Sequence, residues 1–151
     1  MPSQRRKRTK TSRVNAPVVL GATHVGKVRS GNEDSYRVLV GKEAPDGIDA
    51  IMVVADGMGG HAAGEVASAM TADGGIRRLT SRPPEATMPG GKYSHLLGQI
   101  LSEVNLEVFQ AGQKPEHRGM GTTCTAAVLT GSQLHVGHVG DSRAYILRQG
   151  D

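Results

Sequence analysis

The chain has 151 residues, of which 37% are apolar and only 3% aromatic, one cysteine, and a formal net charge of +4. That length suffices for one domain with a sizeable core, built from Val, Ile, Leu, Met and Ala, because Phe109 is the sole Phe and there is no Trp. One cysteine excludes an intramolecular disulfide framework, there is no run of about 18 apolar residues to cross a membrane, and no apolar segment follows the basic start to form a secretory signal. A soluble cytoplasmic protein is therefore expected.

Residues 1–16 read as a basic disordered leader. Arg5, Arg6, Lys7, Arg8, Lys10 and Arg13 stand there without an acid among them, so the basic balance comes from this tail and the remainder is net negative. The leader is either simply solvated or weakly attracted to nucleic acid, anionic lipid or an acidic partner. No aromatic residue is interleaved with the cations, so there is no stacking platform for single-stranded nucleic acid, and no specific nucleic-acid partner is expected.

Residues 17–151 read as one domain without internal repeats. Strands are expected at 17–24, 36–40 and 51–56, with Asp46-Gly47 as a hairpin turn before the third. The five apolar residues Ile51 to Ala55 read as a strand buried on both faces. A helix is expected from 61 or 64 to about 79, with Val66, Met70 and Leu79 inward and its end weakened by Gly74-Gly75. Pro and Gly mark 81–92 as a loop. A second helix spans about 93–110, where Leu97, Leu101, Val104 and Val108 recur at helical spacing and should face a sheet. Strands follow at 122–130, 133–140 and 143–148, the first two joined at Gly131-Ser132. Strands, then helices, then strands suit an α+β sandwich better than alternating βαβ units.

Four segments carry candidate chemistry. The strand Ile51 to Ala55 delivers Asp56 into the glycine-rich turn Gly57-Met58-Gly59-Gly60-His61, where backbone can come close to an ion or a phosphate. Alone, Asp56-Gly57 is equally a common strand-ending turn. Upstream, Arg29 suits bidentate capture of a phosphate, and Glu33 and Asp34 offer hard oxygen ligands. Gly119-Met120-Gly121-Thr122-Thr123 is a glycine turn entering a small-residue strand, and a further apolar strand ends at Gly140-Asp141. Asp141 is either a metal ligand or the cap of the next element. Cys124 lies within a Thr/Ala strand and reads as a small buried hydrophobe. His24, His95, His117, His135 and His138 show no zinc spacing. His135 and His138 should lie on opposite faces of a strand. Glu65 reads as a helix N-terminal acid, and Arg143 as the partner of a carboxylate near Asp141.

Taken in order, V-R-S-G-N-E-D-S, D-G-M-G-G-H-A-A-G-E, G-M-G-T-T and G-D-S-R-A-Y resemble the metal-dependent protein serine/threonine phosphatases, the type 2C or PPM family, in particular its bacterial branch, from about Thr23 onward. The resemblance implies a β-sandwich flanked by helices, and hydrolysis of phosphoserine and phosphothreonine in proteins by a water activated by two or three Mn²⁺ or Mg²⁺ ions. It implies phosphorylated protein partners, the targets of bacterial serine/threonine kinases. It further implies that Asp56 bridges two metals and that the Gly57 carbonyl binds one. Asp34 reaches a metal through water with Glu33 supporting it, Asp141 ligates a third metal, and Arg29 binds phosphate. His61 either protonates the leaving group and positions substrate or stabilises the turn. The family's two C-terminal metal aspartates have no counterpart here, so the sequence reads as the N-terminal part of such a catalytic domain, truncated at the C-terminus. The alternative function is a non-catalytic phosphate- or partner-binding module, or an inactive fragment. A sandwich cut partway exposes an apolar face and unpaired edges, so the isolated chain is expected to be poorly stable or to self-associate.

Overall fold

The computed structural model describes residues 17–59, 62–82 and 92–150. The basic leader, His61 and most of the expected 81–92 loop lie outside the described residues. Strand β1 (Asp34–Val40) and strand β2 (Ala50–Met58) come first, then helices α1 (Ala62–Ser81) and α2 (Lys92–Ala111). The short β3 (Gly121–Thr122), β4 (Cys124–Thr130) and β5 (Gln133–Val139) complete the order. The sheet is antiparallel in the order β1-β2-β4-β5, with β3 pairing to the end of β2. Both helices pack on one face of it.

Register decides which residues meet. Tyr36, Val54, Thr125 and His138 form one row across the four strands, and Val38, Met52, Ala127 and Val136 form the next. Alternation then puts Ile51, Val53, Cys124, Ala126 and Val128 on the helix side, where all are buried. Cys124 is thus a core residue, as its neighbours in sequence suggested. Helix α2 presents Leu97, Ile100, Val104 and Val108 to this face; full burial of such a side chain contributes roughly 1.5–3 kcal/mol. Helix α1 buries Leu79 near its end, as expected, and otherwise mostly small residues, among them Ala63, Gly64, Ala67, Ser68, Thr71, Ala72 and Gly75, so its backbone lies close against β2. Arg78 ties the two helices together: its guanidinium, 12% exposed, is 3.0 Å from Glu103 and also bonds Glu107.

Three expectations need correction. The strand 51–56 is buried on one face only, since Val54 on the other is 49% exposed. The apolar run foretold a second covering layer, and among the described residues none lies over it. Residues 17–24 and 143–148 form no strand, because among the described residues neither has a pairing partner; Leu20, Ile146 and Leu147 stand exposed. Helix α1 does not weaken at Gly74-Gly75 but runs on to Ser81. Both glycines are buried against neighbours, with Val104 over Gly74 and Val53 over Gly75, so packing outweighs propensity. As expected, Asp46-Gly47 is a hairpin turn: it lies in the loop that joins the antiparallel partners β1 and β2, closed by the Ile48 N–H donating to the Pro45 carbonyl (3.0 Å) with Gly47 at φ 87°. Gly131-Ser132 is the tight hairpin, between paired Thr130 and Gln133. His135 and His138 do face opposite ways, the first stacked on Tyr93 of α2 and the second bonded to Thr125 on the open face.

Candidate metal and phosphate site

The ends of β1 and β2 bring two acids together. Asp34 and Asp56 are direct cross-strand partners, which places their Cβ atoms about 4.5–5.5 Å apart on one face. Asp34 is pushed above the usual carboxylate range, first by burial and then by the charge and close approach of Asp56, with Arg29 acting against both. Two like charges held side by side repel, and either a proton or a nearby cation relieves them.

Beyond Asp56 the backbone is packed too tightly for side chains. A Cβ on Gly57 would lie 2.1 Å from the Gly64 carbonyl oxygen and 2.7 Å from that of Glu33. The Gly57 N–H donates to the Glu33 carbonyl at 3.0 Å, pinning the turn to the segment before β1. On the other side, β3 and β4 grip Asp56: its N–H donates to Thr123 Oγ1 (3.0 Å), and its carbonyl accepts the Thr123 N–H (2.9 Å) and the Thr122 hydroxyl (3.0 Å).

A cleft of about 610 Å³ opens over this turn, lined by Arg29, Glu33, Asp56, Gly57, Thr123 and Asp141 among others. Four of the sequence-predicted residues besides Asp56 therefore converge there: Arg29, Glu33, Gly57 and Asp141. Asp34 does not line it. It faces an adjoining groove, shared with Asp56 and bordered by Thr23, His24 and Arg143, so Asp56 is the wall between the two. Glu33 is largely buried and its carboxylate is 3.7 Å from the exposed Arg29 guanidinium. Among the described residues Arg143 pairs with no carboxylate, contrary to expectation, and its guanidinium lies 3.4 Å from the Tyr145 hydroxyl.

Asp34 and Asp56 supply the hard, anionic oxygens that Mn²⁺ or Mg²⁺ takes, so the donor chemistry fits such an ion. Among the described residues no three acidic, His or Cys side chains gather closely enough to enclose one, and Asp34 and Asp56 stand there as a pair.

Sequence reasoning missed Thr123 and Gly64. Thr123 lay in view within G-M-G-T-T, but a threonine before a strand gives no sign that its hydroxyl will meet a residue 67 positions away. Gly64 makes room for Glu33, since a Cβ there would lie 2.6 Å from Glu33 Oε2. A glycine near a helix start was the only signal.

A one-layered antiparallel sheet with paired helices, carrying a carboxylate pair beside a mainly acidic cleft that Arg29 also lines, agrees with the family comparison. The protein phosphatase 2C model matches residues 21–151, and the chain belongs to that family. It is 39% identical over 129 residues to the serine/threonine phosphatase stp of Listeria innocua, a match covering 83% of this chain and 48% of that protein. It is also 39% identical over 127 residues to the serine/threonine protein phosphatase PstP of Mycobacterium tuberculosis, covering 83% of this chain and 22% of that one. Among solved structures, a bacterial serine phosphatase superposes with a TM-score of 0.67 at 32% identity, over 84% of this chain and 49% of the other. The catalytic domain of PstP in complex with 2 manganese ions superposes with a TM-score of 0.63 at 38% identity, over 83% and 49%. The chain spans about half the length of the Listeria relative and of both structures. Among the described residues no helix is long and apolar enough to cross a membrane.

Proposed function

We propose that this chain carries the phosphate-binding part and one portion of the metal centre of an enzyme that hydrolyses phosphoserine and phosphothreonine in proteins. The observation that carries the reading is the cross-strand pair Asp34 and Asp56, of which Asp56 walls the cleft that Arg29 also lines. Asp56, Asp34 and the Gly57 carbonyl would hold Mn²⁺ or Mg²⁺, with Asp141 as a further ligand across the cleft and Glu33 behind them. When bound, such ions supply an activated water and screen the charge of the phosphate. Arg29 binds and orients the phosphate through paired N–H donors. Glu33 draws the Arg29 guanidinium toward the cleft and limits its wandering. The grip of Thr122 and Thr123 on the Asp56 backbone fixes the point from which its carboxylate projects before substrate arrives, and a preset geometry is what such a slow hydrolysis needs. His61 follows the turn in sequence and would hand a proton to the departing serine or threonine oxygen.

The domain is taken as 17–151, preceded by a basic leader at 1–16. The protein would act in the cytoplasm on phosphorylated proteins, the products of bacterial serine/threonine kinases. The likeness to bacterial serine/threonine phosphatases supports this reading.

The test is hydrolysis of p-nitrophenyl phosphate by the 151-residue chain with and without Mn²⁺, beside Asp56→Asn. Release that needs Mn²⁺ and vanishes in the variant is expected. Release that survives Asp56→Asn, or none above that variant, would overturn the hydrolytic reading for this chain. Arg29→Ala should raise KM more than it lowers kcat, because its contact with phosphate exists before the transition state.

A further inference from the structure

We propose that Thr123 is the positioning residue that locks the Asp56 turn to the Asp141 turn, so that the backbones carrying Asp56 and Asp141, two of the cleft's three carboxylates, move as one unit. Thr123 lies between β3 and β4, is 3% exposed, and sits on the cleft wall. Its backbone N–H holds the Asp56 carbonyl at 2.9 Å, which ordinary strand pairing would also achieve. Its side chain does what pairing cannot. Oγ1 accepts the Asp56 N–H at 3.0 Å and lies 2.6 Å from Ser142 Oγ, the neighbour of Asp141. A hydroxyl has two lone pairs and one proton, so it can serve both partners at once.

The methyl group completes the lock. Gly140, just before Asp141, has φ 105°, and a Cβ there would lie 2.7 Å from Thr123 Cγ2. The Asp141 turn is therefore moulded against the same side chain that its Ser142 hydroxyl grips. Serine would keep the hydroxyl contacts and lose the methyl; valine would keep the shape and lose the hydroxyl. Among the described residues no other side chain bonds both turns, and the buried contacts leave Thr123 few alternative rotamers.

The consequence for metal binding rests on the reading of Asp56 and Asp141 as ligands; the lock itself does not. Side chains that orient metal ligands typically change metal affinity by about 10–100-fold when removed. The experiment compares the 151-residue chain with Thr123→Val, Thr123→Ser and Ser142→Ala by amide hydrogen exchange and Mn²⁺ binding. Thr123→Val should speed exchange of the Asp56 amide at least about tenfold, the loss expected for one hydrogen bond, and shift the amide resonances of 140–142. Thr123→Ser should restore Asp56 protection to within about threefold. Ser142→Ala should shift the resonances of 140–142 while leaving Asp56 protected, and adding it to Thr123→Val should do little more than Thr123→Val alone.

Unchanged Asp56 exchange in Thr123→Val, or a Thr123→Ser variant as exposed as Thr123→Val, would overturn the proposal. If Thr123→Val does not fold, Ser142→Ala decides, and unmoved resonances at 140–142 overturn it. For the metal, Thr123→Val should weaken Mn²⁺ binding about 10–100-fold. If Asp56→Asn abolishes Mn²⁺ binding while Thr123→Val binds like the parent, the positioning role fails and the metal reading survives. If Asp56→Asn leaves Mn²⁺ binding unchanged, the metal reading fails, and the exchange data alone decide the lock.

Discussion

Adding one methyl group should have opposite effects at two glycines of this chain. At Gly57 a Cβ would meet the Gly64 carbonyl oxygen at 2.1 Å, its carbon at 2.5 Å and the Glu33 carbonyl oxygen at 2.7 Å. All three obstacles are backbone, on two different elements, so no rotamer change relieves them. Restoring an ordinary contact of about 3.4 Å requires α1 to retreat from β2 by roughly 1.3 Å. Overpacking typically costs about 1–3 kcal/mol, and a purely backbone clash belongs at the upper end, about 3 kcal/mol. For a chain of this size each kcal/mol shifts Tm by about 2–4 °C, so Gly57→Ala should melt roughly 6–12 °C lower. Gly98 has no atom within 4 Å of its would-be Cβ and is exposed within α2. There alanine removes the entropy cost of a helical glycine, and Gly98→Ala should gain about 0.5–1 kcal/mol. Circular-dichroism melts of the two variants beside the parent are the assay. A Gly57→Ala variant within about 2 °C of the parent, or one stabilised like Gly98→Ala, would refute the close approach of the Asp56 turn to α1.

Three further outcomes follow from other parts of the molecule. Glu103 is held down to about 2, first by Arg82 and then by Arg78. Its folded value is lower than its unfolded one, so the stability it contributes is present above about 4.5 and is lost as pH falls toward about 2. Glu103→Gln should flatten the fall in urea midpoint across that window, and an unchanged slope would contradict the helix clamp. Burial pushes the Cys124 thiol up to about 11, so labelling by a disulfide reagent at pH 8 should proceed only at the rate of unfolding; labelling of the native chain within seconds would contradict its burial in the core. The open sheet face, with Val54, Leu134 and Val136 exposed, should make the chain self-associate. Sedimentation velocity should show association that Val54→Lys with Val136→Lys suppresses, and a concentration-independent monomer of the parent would count against it.

Much of this arrangement was legible in the sequence, for identifiable reasons. Local periodicity is enough for α2, where Leu97, Val104 and Val108 mark the buried stripe, and for β4 and β5, whose hairpin is fixed by Gly131-Ser132. The candidate site was legible because its residues sit at strand ends beside glycines that tolerate close backbone. What failed depended on partners distant in sequence. Residues 17–24 and 143–148 have strand-like composition, but a strand exists only when another pairs with it. Val54 reads as core for the same reason: its character anticipates a covering layer, which composition cannot supply. Thr123 was invisible as an organiser because its hydroxyl bonds span the distance to Asp56 on one side and to Ser142 on the other. Gly74 and Gly75 looked like a helix end until the residues packed on them were known.

The central claim is that Asp34 and Asp56 form a divalent-cation site beside Arg29. It is tested most directly by measuring free Mn²⁺ by electron paramagnetic resonance as the 151-residue chain is titrated, with Asp56→Asn and Asp34→Asn in parallel and circular dichroism to establish that each is folded. A saturable site in the parent, lost in Asp56→Asn and weakened in Asp34→Asn, is the predicted result. Equal Mn²⁺ binding by the parent and a folded Asp56→Asn variant would contradict the claim.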